Sequence, residues 1–388
     1  MNSADVTSTE NMTFVIAAGG TGGHFYPALA IARACRQRGH RVLFAVGGQH
    51  AQEHEQLARE NNFAAFTIDT PRLPRSPWQA ISFLGSFARA WLGMRRKLKS
   101  IKPQALLGMG SFAAAPACAA AVSLRIPLAL HEGNAVLGTA NRLWARGSRA
   151  IALSLPIKTG LPAARCTCTE ITGLPLRPAL LQEAKRDKKT SKSQALKKYG
   201  LVDNKPVLLI FGGSQGAVYL NELMLNILPE LGDSVHALQI IHLSGSQPAT
   251  EKLQDAYDQH GIGAVVLSRE AAIQDCYAAA DLVLCRAGAA TISELALFEL
   301  PAILVPLPSA ARDHQAKNAK LLETEKAASV LPQGPDAAAT AARMLKKWLN
   351  TPRACDERRR NIRQFAHPDA ANQVADLLER LPGKSDIE

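Results

Sequence analysis

Two glycine-rich loops in this 388-residue chain each follow an apolar run and lead into a stretch with helical periodicity. The loops are Gly19-Gly20-Thr21-Gly22-Gly23-His24 and Gly212-Gly213-Ser214-Gln215-Gly216. A strand that turns tightly into a helix presents free backbone N–H groups at the positive end of the helix dipole. Glycine lets an anion approach that backbone closely. The loops therefore predict two similar α/β domains that bind phosphates, or other anionic or strongly polar groups.

Each loop also has a simpler interpretation. His24 could merely cap its turn, and Ser214 could be the N-cap of the helix that follows it. The first loop lacks the last glycine of G-x-G-x-x-G, and the second predicted strand ends in Val46-Gly47-Gly48 rather than in an acid. These departures argue against NAD. The chain also has no G-x-x-x-x-G-K-[ST] phosphate-binding loop.

Two further polar segments follow predicted strands in the second half of the chain. After the strand that ends at Cys285, a glycine turns into a helix whose first turn holds Thr291, and Glu294 lies three residues later. Glu294 could accept hydrogen bonds from sugar hydroxyls, or it could form a capping box with Thr291. The segment Asp313-His314-Gln315 follows a strand and a proline-rich loop. Open α/β sheets bind ligands at the carboxyl ends of their strands, so both segments are candidate ligand contacts.

Short apolar runs alternate with helical stretches, which predicts parallel βαβ units and an α/β fold with two doubly wound sheets. The predicted strands are Thr13–Ala18, Arg41–Val46, Ala65–Ile68, Ala105–Gly108, Pro127–His131, Ala150–Leu153, Pro206–Phe211, His236–Ser244, Ala264–Leu267, Leu282–Cys285 and Ala302–Val305. The proline- and glycine-containing segment 173–178 is typical of a linker. It divides the chain into domains over residues 1–173 and 174–388, with a helical tail from about 352 that could pack back on the first domain.

The amino-acid composition excludes some classes of protein. A hydrophobic fraction of 47% and a charged fraction of 20% are those of a globular chain and exclude a disordered one. The net charge of +12 is compatible with nucleic acid, an anionic membrane surface or an anionic substrate as partner. The seven cysteines show no disulfide pattern, so reduced thiols are expected. We expect neither a signal peptide nor a transmembrane helix.

Residues 71–103 contain eight basic residues and no acid, interleaved with aromatic and aliphatic side chains. Several apolar residues share one helical face, and aromatics beside cations suit an anionic lipid surface. The predicted membrane contacts are Trp78, Ile81, Leu84, Phe87, Trp91, Arg95, Arg96 and Lys97. The alternative is an amphipathic helix packed on its own sheet, with a solvated basic end. No recognisable nucleic-acid-binding motif accompanies the charge, so no nucleic-acid partner is expected.

Five motifs occur in order over residues 13–330, and they are specific as a set although each is weak alone. They are AAGGTGGH, HE-x-NA, FGGSQGA, CRAGA-x-T-x-SE and DHQ-x-KNA. The set resembles the MurG-type glycosyltransferases, which are UDP-N-acetylglucosamine–N-acetylmuramyl-(pentapeptide) pyrophosphoryl-undecaprenol N-acetylglucosamine transferases. The resemblance implies a GT-B fold of two Rossmann-like domains with an active cleft between them, and no cofactor. It also implies a peripheral enzyme on the cytoplasmic face of the bacterial inner membrane.

The resemblance further implies that UDP-N-acetylglucosamine is held by the C-terminal domain and lipid I by the N-terminal domain. Ser214 and Gln215 would meet the donor diphosphate or sugar, with Arg286 close by to stabilise the leaving charge. Glu294 would hold the ribose hydroxyls, and Gln315 would help to hold the N-acetylglucosamine. The complete set of predicted substrate-binding residues is Thr21, Gly22, Gly23, Asn134, Arg177, Ser214, Gln215, Gly216, Arg286, Ala289, Thr291, Glu294 and Gln315.

The implied reaction is an in-line displacement that inverts the anomeric carbon, in which the 4-hydroxyl of N-acetylmuramic acid attacks and UDP leaves. A hydroxyl needs a base as its new bond forms. His24 is the predicted base, because an imidazole has a pKa of about 6.5 and the resemblance places it on the acceptor side with Thr21 and Asn134. Glu132 and His131 are the reserve candidates. Since the chain has no D-x-D pair, we expect no metal, and stabilisation of the leaving group by helix N-termini and backbone N–H groups.

The chain departs from the family pattern at several positions. Gly133 stands where the family often has glutamine, and Ser111 interrupts its G-x-G-G-[YF] stretch. Arg269 and Glu270 occupy the segment that often carries an aromatic or aliphatic residue against the uracil. Arg177 matches the arginine of the family's G-x-P-x-R segment and is a candidate for the donor site.

Three alternatives remain open from the sequence. A UDP-sugar 2-epimerase shares the two-domain architecture but would need neither an acceptor nor a lipid-facing segment. A non-catalytic nucleotide-sugar-binding subunit would not need both sets of loops in one chain. A transferase to a different glycolipid acceptor is the nearest rival.

Overall fold

The structure is a computed structural model that describes residues 11–20, 22–71, 76–158, 160–161, 168–213 and 217–381. The chain divides into two compact units. Unit 1 draws on Met1–Gly133, Leu137–Pro175 and Asp369–Glu388, and unit 2 draws on Asn134–Val136 and Leu176–Pro368. Each unit has its own sheet.

Strands and helices alternate along the described residues. The strands are β1 (Thr13–Gly19), β2 (Arg41–Gly47), β3 (Ala64–Ile68), β4 (Ala105–Gly108), β5 (Leu128–Glu132), β6 (Ala150–Leu153), β7 (Cys168–Ile171), β8 (Val207–Phe211), β9 (Gln239–Leu243), β10 (Ala264–Leu267), β11 (Leu282–Cys285), β12 (Ala302–Leu304) and β13 (Ser329–Val330). The helices are α1 (Gly22–Gln37), α2 (Ala51–Glu60), α3 (Pro77–Ile101), α4 (Ala115–Ser123), α5 (Thr139–Trp144), α6 (Pro178–Ala184), α7 (Lys188–Tyr199), α8 (Ala217–Leu231), α9 (Gln247–Gln259), α10 (Ile273–Ala279), α11 (Ala289–Phe298), α12 (His314–Thr324), α13 (Ala337–Asn350), α14 (Pro352–Ile362) and α15 (Ala370–Arg380).

Both sheets are parallel throughout their described strands. Over these residues, unit 1 has a seven-stranded sheet in the order β3-β2-β1-β4-β5-β6-β7, and unit 2 has a six-stranded sheet in the order β10-β9-β8-β11-β12-β13. The register of β1 and β2 runs from Thr13 opposite Arg41 to Gly19 opposite Gly47. The loops that leave β1, β4 and β5 therefore emerge at one edge of the first sheet, and those that leave β8, β11 and β12 emerge at one edge of the second.

The predicted α/β fold with two doubly wound parallel sheets is confirmed. The sequence did not predict β7 or β13, which lie at the edges of the two sheets and alternate or half-expose their side chains instead of forming an apolar run. The predicted strand His236–Ser244 begins only at Gln239, because residues Gly232–Ala237 form a 3-10 helix.

The central strands are buried on both faces. In β1, Phe14 and Ile16 point into one apolar cluster while Val15 and Ala17 point into another. Successive side chains of a strand alternate between faces, so helices must cover both sides of the sheet. This is why the sequence of β1 is a continuous apolar run rather than an alternating one.

The last described helix, α15, belongs to unit 1, whereas α13 and α14 belong to unit 2. Val374 and Leu378 are buried in the same apolar cluster as α1. Arg38, at the end of α1, forms ion pairs with α15, including one of 3.1 Å to Glu379 Oε2. His40 Nε2 lies 2.7 Å from Glu379 Oε1. The last described helix thus completes the core of unit 1.

The 25-residue helix α3 is buried on one face only. Its second half buries Ala90, Met94 and Leu98, which recur every four residues and therefore share a helical face. Among the described residues, no helix combines the length and the apolar character needed to cross a membrane.

We predict that Leu378→Ala destabilises unit 1 strongly. Removing three carbons from a fully buried leucine costs about 2–5 kcal/mol through lost burial and the cavity left behind. The matched control is Leu143→Ala, which removes the same atoms from an exposed position in unit 1 and should cost less than about 0.5 kcal/mol. Urea unfolding followed by circular dichroism measures both values. Equal losses in the two variants would show that α15 contributes nothing to the core.

Candidate active site

The edge of the unit 1 sheet where β1 and β2 end is too closely packed for side chains. A Cβ atom on Gly19 would lie 2.3 Å from the carbonyl oxygen of Gly47, and one on Gly47 would lie 2.5 Å from Thr70 Oγ1. Gly20 follows with a φ of +82°, a backbone conformation that favours glycine. The first loop therefore needs its glycines to pass alongside β2. The predicted contact Thr21 lies outside the described residues.

His24 lies in the first turn of α1, which opens with Gly22 and Gly23. Its side chain is half-buried. A Cβ on Gly20 would lie 3.8 Å from His24 Cδ2 and 3.6 Å from Ser111 Cβ, so both side chains flank the glycine loop. The Ser111 hydroxyl is buried and has no hydrogen-bond partner within the described part of the chain. This edge thus brings an imidazole and an unpartnered hydroxyl to one loop.

The strand β5 ends in a buried carboxylate, that of Glu132. Its Oε2 accepts a hydrogen bond from the backbone N–H of Gly138 at 2.8 Å and another from Asn141 Nδ2 at 2.9 Å. Asn141 Nδ2 also donates to the carbonyl oxygen of His131 at 2.9 Å. Buried carboxylates require such donors, and these contacts anchor the residues that follow β5. The role of Glu132 as a reserve base stays a prediction.

His131 is buried and lies 3.3 Å from the Ser154 hydroxyl through Nε2. Burial lowers the pKa of its imidazole to about 4, with a smaller contribution from the neighbouring His24, while a hydrogen bond with the Gly173 backbone acts in the opposite direction. A group with so low a pKa is a weak proton acceptor at neutral pH. His131 is therefore a weak candidate for the base, and the role of His24 stays a prediction.

Asn318, in α12, holds the short segment Asn134–Val136, which belongs to unit 2. Its Oδ1 accepts from the backbone N–H of Ala135 at 2.8 Å. Its Nδ2 donates to Asn134 Oδ1 at 3.1 Å and to the carbonyl oxygen of Ala287 at 3.0 Å. This fully buried amide thus brings three of the sequence motifs together, HE-x-NA, CRAGA-x-T-x-SE and DHQ-x-KNA.

The second glycine loop leaves β8 after Phe211. Gly213 is exposed and adopts a φ of +66°. Three predicted contacts, Ser214, Gln215 and Gly216, lie outside the described residues, and α8 begins at Ala217. The described part of this loop agrees with a tight turn from strand to helix.

Arg286 follows β11 and is only 6% exposed. Its Nη1 donates to the carbonyl oxygens of Val305 at 3.1 Å and Pro306 at 3.4 Å. Its Nη2 lies 2.8 Å from the Gln333 amide oxygen in the amide orientation that satisfies both groups. The guanidinium also lies over the Tyr219 ring, at 5.2 Å, and burial lowers its pKa. Arg286 therefore holds the residues after β12 through its terminal nitrogens.

Glu294 in α11 is held by Tyr277 in α10. The Tyr277 hydroxyl donates to Glu294 Oε2 at 2.7 Å, and its ring packs at 5.9 Å against Phe211 and at 5.2 Å against Phe298. Burial raises the pKa of the Glu294 carboxyl, whereas the hydrogen bond from Tyr277 and the positive charge of Arg177 act to lower it. The structure therefore brings two predicted donor contacts, Arg177 and Glu294, within electrostatic reach of each other.

The start of α11 excludes one of the two interpretations of Glu294, and contact with sugar hydroxyls stays a prediction. The helix begins at Ala289, and Gly288 is its N-cap. Thr291 is therefore the third helical residue and does not form a capping box with Glu294. Further along, Gln315 Oε1 accepts from the backbone N–H of Leu307 at 3.0 Å, which ties the proline-rich loop to α12.

The first half of α3 exposes large apolar side chains. Trp78 is 86% exposed, Ile81 is 74% exposed and Leu84 is 65% exposed. Monomeric proteins rarely leave contiguous apolar surface of this kind unless it binds something. These residues form what we call the α3 apolar patch.

Two of the remaining predicted membrane contacts, both aromatic, are packed more closely on unit 1. Phe87 and Trp91 are half-buried, while Arg96 is exposed. The Arg95 guanidinium lies 5.2 Å from the centre of the Trp91 ring, and the Lys97 ammonium lies 4.9 Å from a phenyl ring of β3. The second half of the helix thus packs on unit 1, as the alternative interpretation expects, and membrane contact by its first half stays a prediction.

Sequence reasoning missed two side chains beside the candidate contacts of each unit. Tyr277 holds Glu294, Asn318 holds Asn134, Asn141 holds Glu132, and Ser111 lies beside the glycine loop. Asn318 belongs to a motif that was recognised, and Ser111 to a recognised departure, so both carried a signal. Tyr277 and Asn141 lie inside ordinary helices, where nothing in the local sequence marks them.

Two domains of one family cover most of the chain. Residues 14–153 match the Glycosyltransferase family 28 N-terminal domain, and residues 207–374 match the Glycosyltransferase family 28 C-terminal domain. Similar full-length proteins carry the name UDP-N-acetylglucosamine--N-acetylmuramyl-(pentapeptide) pyrophosphoryl-undecaprenol N-acetylglucosamine transferase. One from Ectopseudomonas mendocina is 36% identical over 375 residues, which is 95% of this chain and 98% of that protein. Another, from Solibacter usitatus, is 36% identical over 96% of this chain and 97% of its own length.

Solved structures agree with this comparison. A crystal structure of MurG from Acinetobacter baumannii matches with a TM-score of 0.76 and 29% identity, covering 95% of this chain and 99% of that one. A UDP-GlcNAc 2-epimerase from Neisseria meningitidis bound to UDP-GlcNAc matches with a TM-score of 0.65, covering 95% of this chain and 99% of that chain. Its identity is only 14%, so it shares the fold alone.

We predict that Tyr277→Phe destabilises unit 2 by about 1–3 kcal/mol at pH 7, because it leaves a partly buried carboxylate oxygen without its donor. The lost hydrogen bond favours the ionised carboxylate, so the penalty should be full above the pKa of Glu294 and should shrink as the pH falls below it. Urea unfolding at pH 7 and pH 4 measures both. Tyr26→Phe, at an exposed tyrosine, is the control. A penalty that does not change with pH would contradict the assignment.

Proposed function

The chain belongs to glycosyltransferase family 28, and we propose that it transfers N-acetylglucosamine from UDP-N-acetylglucosamine to the N-acetylmuramyl group of undecaprenyl-linked lipid I, which forms lipid II for peptidoglycan synthesis. The observation that carries this function is the similarity, at 36% identity over 95% of the chain, to a transferase of that name. The protein is a hexosyltransferase. Its substrates are UDP-N-acetylglucosamine and lipid I.

The donor is held by unit 2. Glu294 accepts hydrogen bonds from the ribose hydroxyls through the carboxylate oxygen that Tyr277 leaves free for it, with Arg177 nearby to balance its charge. Gln315 uses its amide nitrogen for the sugar, since its oxygen is already bonded to Leu307. The N-terminus of α11, which opens with Ala289 and Thr291, and the glycine loop with Ser214, Gln215 and Gly216 are the donor contacts for the diphosphate.

The chemical step is a single displacement at the anomeric carbon of the donor sugar. The acceptor 4-hydroxyl oxygen forms the new bond to that carbon as the bond to the diphosphate oxygen breaks, so the configuration inverts. His24 takes the proton of the hydroxyl. UDP leaves with the electron pair of the broken bond, and helix N-termini and backbone N–H groups stabilise its charge. Arg286 contributes by its charge and by holding the segment after β12.

The acceptor is held by unit 1, at the edge formed by the first glycine loop. Thr21, Gly22 and Gly23 contribute backbone N–H groups, and the unpartnered Ser111 hydroxyl adds a donor that substrate oxygens can use. Glu132 holds the residues after β5 at this edge, because its carboxylate accepts hydrogen bonds from Gly138 and Asn141.

The 2-epimerase alternative receives less support. The epimerase structure from Neisseria meningitidis shares the fold at 14% identity, whereas the transferases share 36% identity over nearly the full chain. The α3 apolar patch also has no use in an enzyme whose substrate is a soluble nucleotide sugar.

Lipid I is anchored in a membrane, and the α3 apolar patch is the surface that reaches it. Trp78, Ile81 and Leu84 would enter the interface, with Arg95, Arg96 and Lys97 among the cations for anionic headgroups. Each such cation adds about 1 kcal/mol near an anionic surface. The protein therefore binds peripherally to the cytoplasmic face of the bacterial plasma membrane.

The function is tested by following UDP release from UDP-N-acetylglucosamine with and without a lipid I analogue. Acceptor-dependent release with a new β-1,4-linked disaccharide supports the transferase, and acceptor-independent formation of UDP-N-acetylmannosamine supports the epimerase.

In this assay His24→Ala and His24→Gln should lower kcat by about 10²–10⁴-fold, the range for loss of a general base, with little change in donor Kd. His50→Ala, at a surface histidine of unit 1, is the control. Near-normal turnover in the His24 variants would remove His24 from the role.

We predict that the α3 apolar patch drives binding to vesicles. The double variant Ile81→Ser and Leu84→Ser should weaken binding to phosphatidylglycerol-containing vesicles by at least about tenfold, since each buried aliphatic side chain contributes about 1.5–3 kcal/mol. Ile171→Ser with Leu143→Ser makes the same changes at other exposed positions of unit 1 and should have no effect. Vesicle co-sedimentation measures binding, and salt should weaken it. Equal binding by both double variants would contradict the assignment.

A further inference from the structure

A fully buried histidine, His242, lies in the strand β9 of unit 2. Its Nδ1 lies 2.7 Å from the hydroxyl of Tyr257 in α9, and its Nε2 lies 2.9 Å from Oδ1 of Asn221 in α8. Tyr257 is also fully buried, and Asn221 is buried. One imidazole therefore connects the helices α8 and α9 across the end of a strand.

The protons of this network have one possible arrangement. Burial lowers the pKa of the His242 imidazole to about 3, so the ring is neutral near pH 7 and has one donor and one acceptor nitrogen. Asn221 Nδ2 donates to the carbonyl oxygen of Ser244 at 2.9 Å, which directs the amide oxygen, an acceptor, toward the ring. Nε2 of His242 must therefore carry the proton, and the Tyr257 hydroxyl must donate to Nδ1.

Asn221 ties the start of α8 to the end of β9. The helix begins at Ala217, directly after the second glycine loop, and Asn221 lies one helical turn later. Ser244 is the first residue after β9, and its backbone N–H donates to the carbonyl oxygen of Leu267, at the end of β10, at 2.8 Å. The carbonyl group that Asn221 meets is thus itself anchored at the carboxyl edge of the sheet.

The start of α8 also has a contact toward the opposite neighbour of β8. The ring of Tyr219, two residues before Asn221, lies 5.2 Å from the guanidinium of Arg286, which follows β11. In the sheet, β8 lies between β9 and β11. The two contacts therefore hold the helix on both sides of the strand from which the glycine loop emerges.

An apolar side chain would fill the place of His242 more simply. The preceding residues of β9, Ile240 and Ile241, are fully buried aliphatics. Replacing both partners of a buried hydrogen bond by apolar groups is often nearly neutral for stability, whereas a satisfied polar network specifies one arrangement of the elements that it joins. Groups that bind a ligand must be held to within about 0.5 Å. The network is therefore better suited to fixing the position of α8 than to adding stability.

We propose that Asn221 and His242 are positioning residues for the donor, an inference that rests on the proposed function. They hold the start of α8, and thereby the glycine loop before it, where that loop meets the diphosphate of UDP-N-acetylglucosamine. Asn221 acts through the helix, and His242 acts through Asn221. Loss of either link should weaken the binding of the diphosphate and leave the binding of the nucleoside largely unchanged.

The proposal is tested by titrating the full-length protein with UDP and with uridine, which lacks the diphosphate. Asn221→Ala leaves two buried groups unpaired, so it should raise the Kd for UDP by about tenfold and the Kd for uridine by less than about twofold. The matched control is Asn226→Ala, the same change at an exposed position of α8, which should alter neither value. Unchanged UDP binding by Asn221→Ala, or equal weakening of UDP and uridine, would overturn the proposal.

His242 offers a rescue by a conservative variant. His242→Gln keeps an N–H donor for Asn221 Oδ1 and should retain most of the affinity for UDP, whereas His242→Leu removes the donor and should behave as Asn221→Ala does. Equal UDP affinity in the two His242 variants would overturn the role of His242. If Asn221→Ala or His242→Leu fails to fold, Asn221→Asp replaces it, because it keeps the size of the side chain and loses the donor to Ser244. Wild-type affinity for UDP in Asn221→Asp would then overturn the proposal.

The same titrations separate this inference from the function on which it rests. A wild-type protein that binds neither UDP nor UDP-N-acetylglucosamine would overturn both. Wild-type binding of UDP together with unchanged binding by the Asn221 variants would overturn the positioning role alone.

Discussion

The candidate substrate contacts all depend on one constraint, which is that the strands of a parallel sheet end at a common edge. In unit 1 this constraint brings the loops after β1, β4 and β5 together, and with them His24, Ser111 and Glu132. Loops from neighbouring strands, 4.7–4.9 Å apart as a rule, leave little room for side chains. At Gly19 there is no room even for a methyl group, which would overlap the facing carbonyl oxygen of Gly47. Glycine at these ends is therefore required by packing as well as useful for binding anions.

The polar residues at these edges fall into two groups, and residue type alone does not tell which group a residue belongs to. Glu132, Arg286 and Asn318 are buried, and the hydrogen bonds that they form go to backbone groups or to other side chains of their own unit. They hold loops that have no regular secondary structure, and paired buried networks of this kind favour a single conformation. His24 and Gln315 are half-buried. The first group holds the loops in place, and the second contains residues for which we propose contacts with the substrates.

Much of the fold was predictable because its signals are local. A strand covered by helices on both faces must be apolar at successive positions, so β1, β8 and β11 were evident as runs. The strands β7 and β13 were missed because their exposed or half-exposed side chains form no apolar run, which a strand at a sheet edge does not need. The helix α3 also has one feature that its sequence predicted and one that only its packing decided. Its periodicity predicted an apolar face, but only the packed structure separates buried Met94 and Leu98 from exposed Ile81 and Leu84.

The sequence by itself determined the fold class, the two glycine loops and the family, because each rests on residues that are adjacent or regularly spaced. Only the tertiary structure decided which polar groups are partners. Tyr277 reaches Glu294 across two helices, and Asn318 reaches Ala135 from 183 residues away. The tertiary structure also decided the position of α15. Its amphipathic face could have covered any apolar surface, and it is buried beside α1. Hydrophobic patterns are set residue by residue along the chain, whereas a hydrogen bond between distant side chains depends on distances that exist only after the sheets and helices have packed.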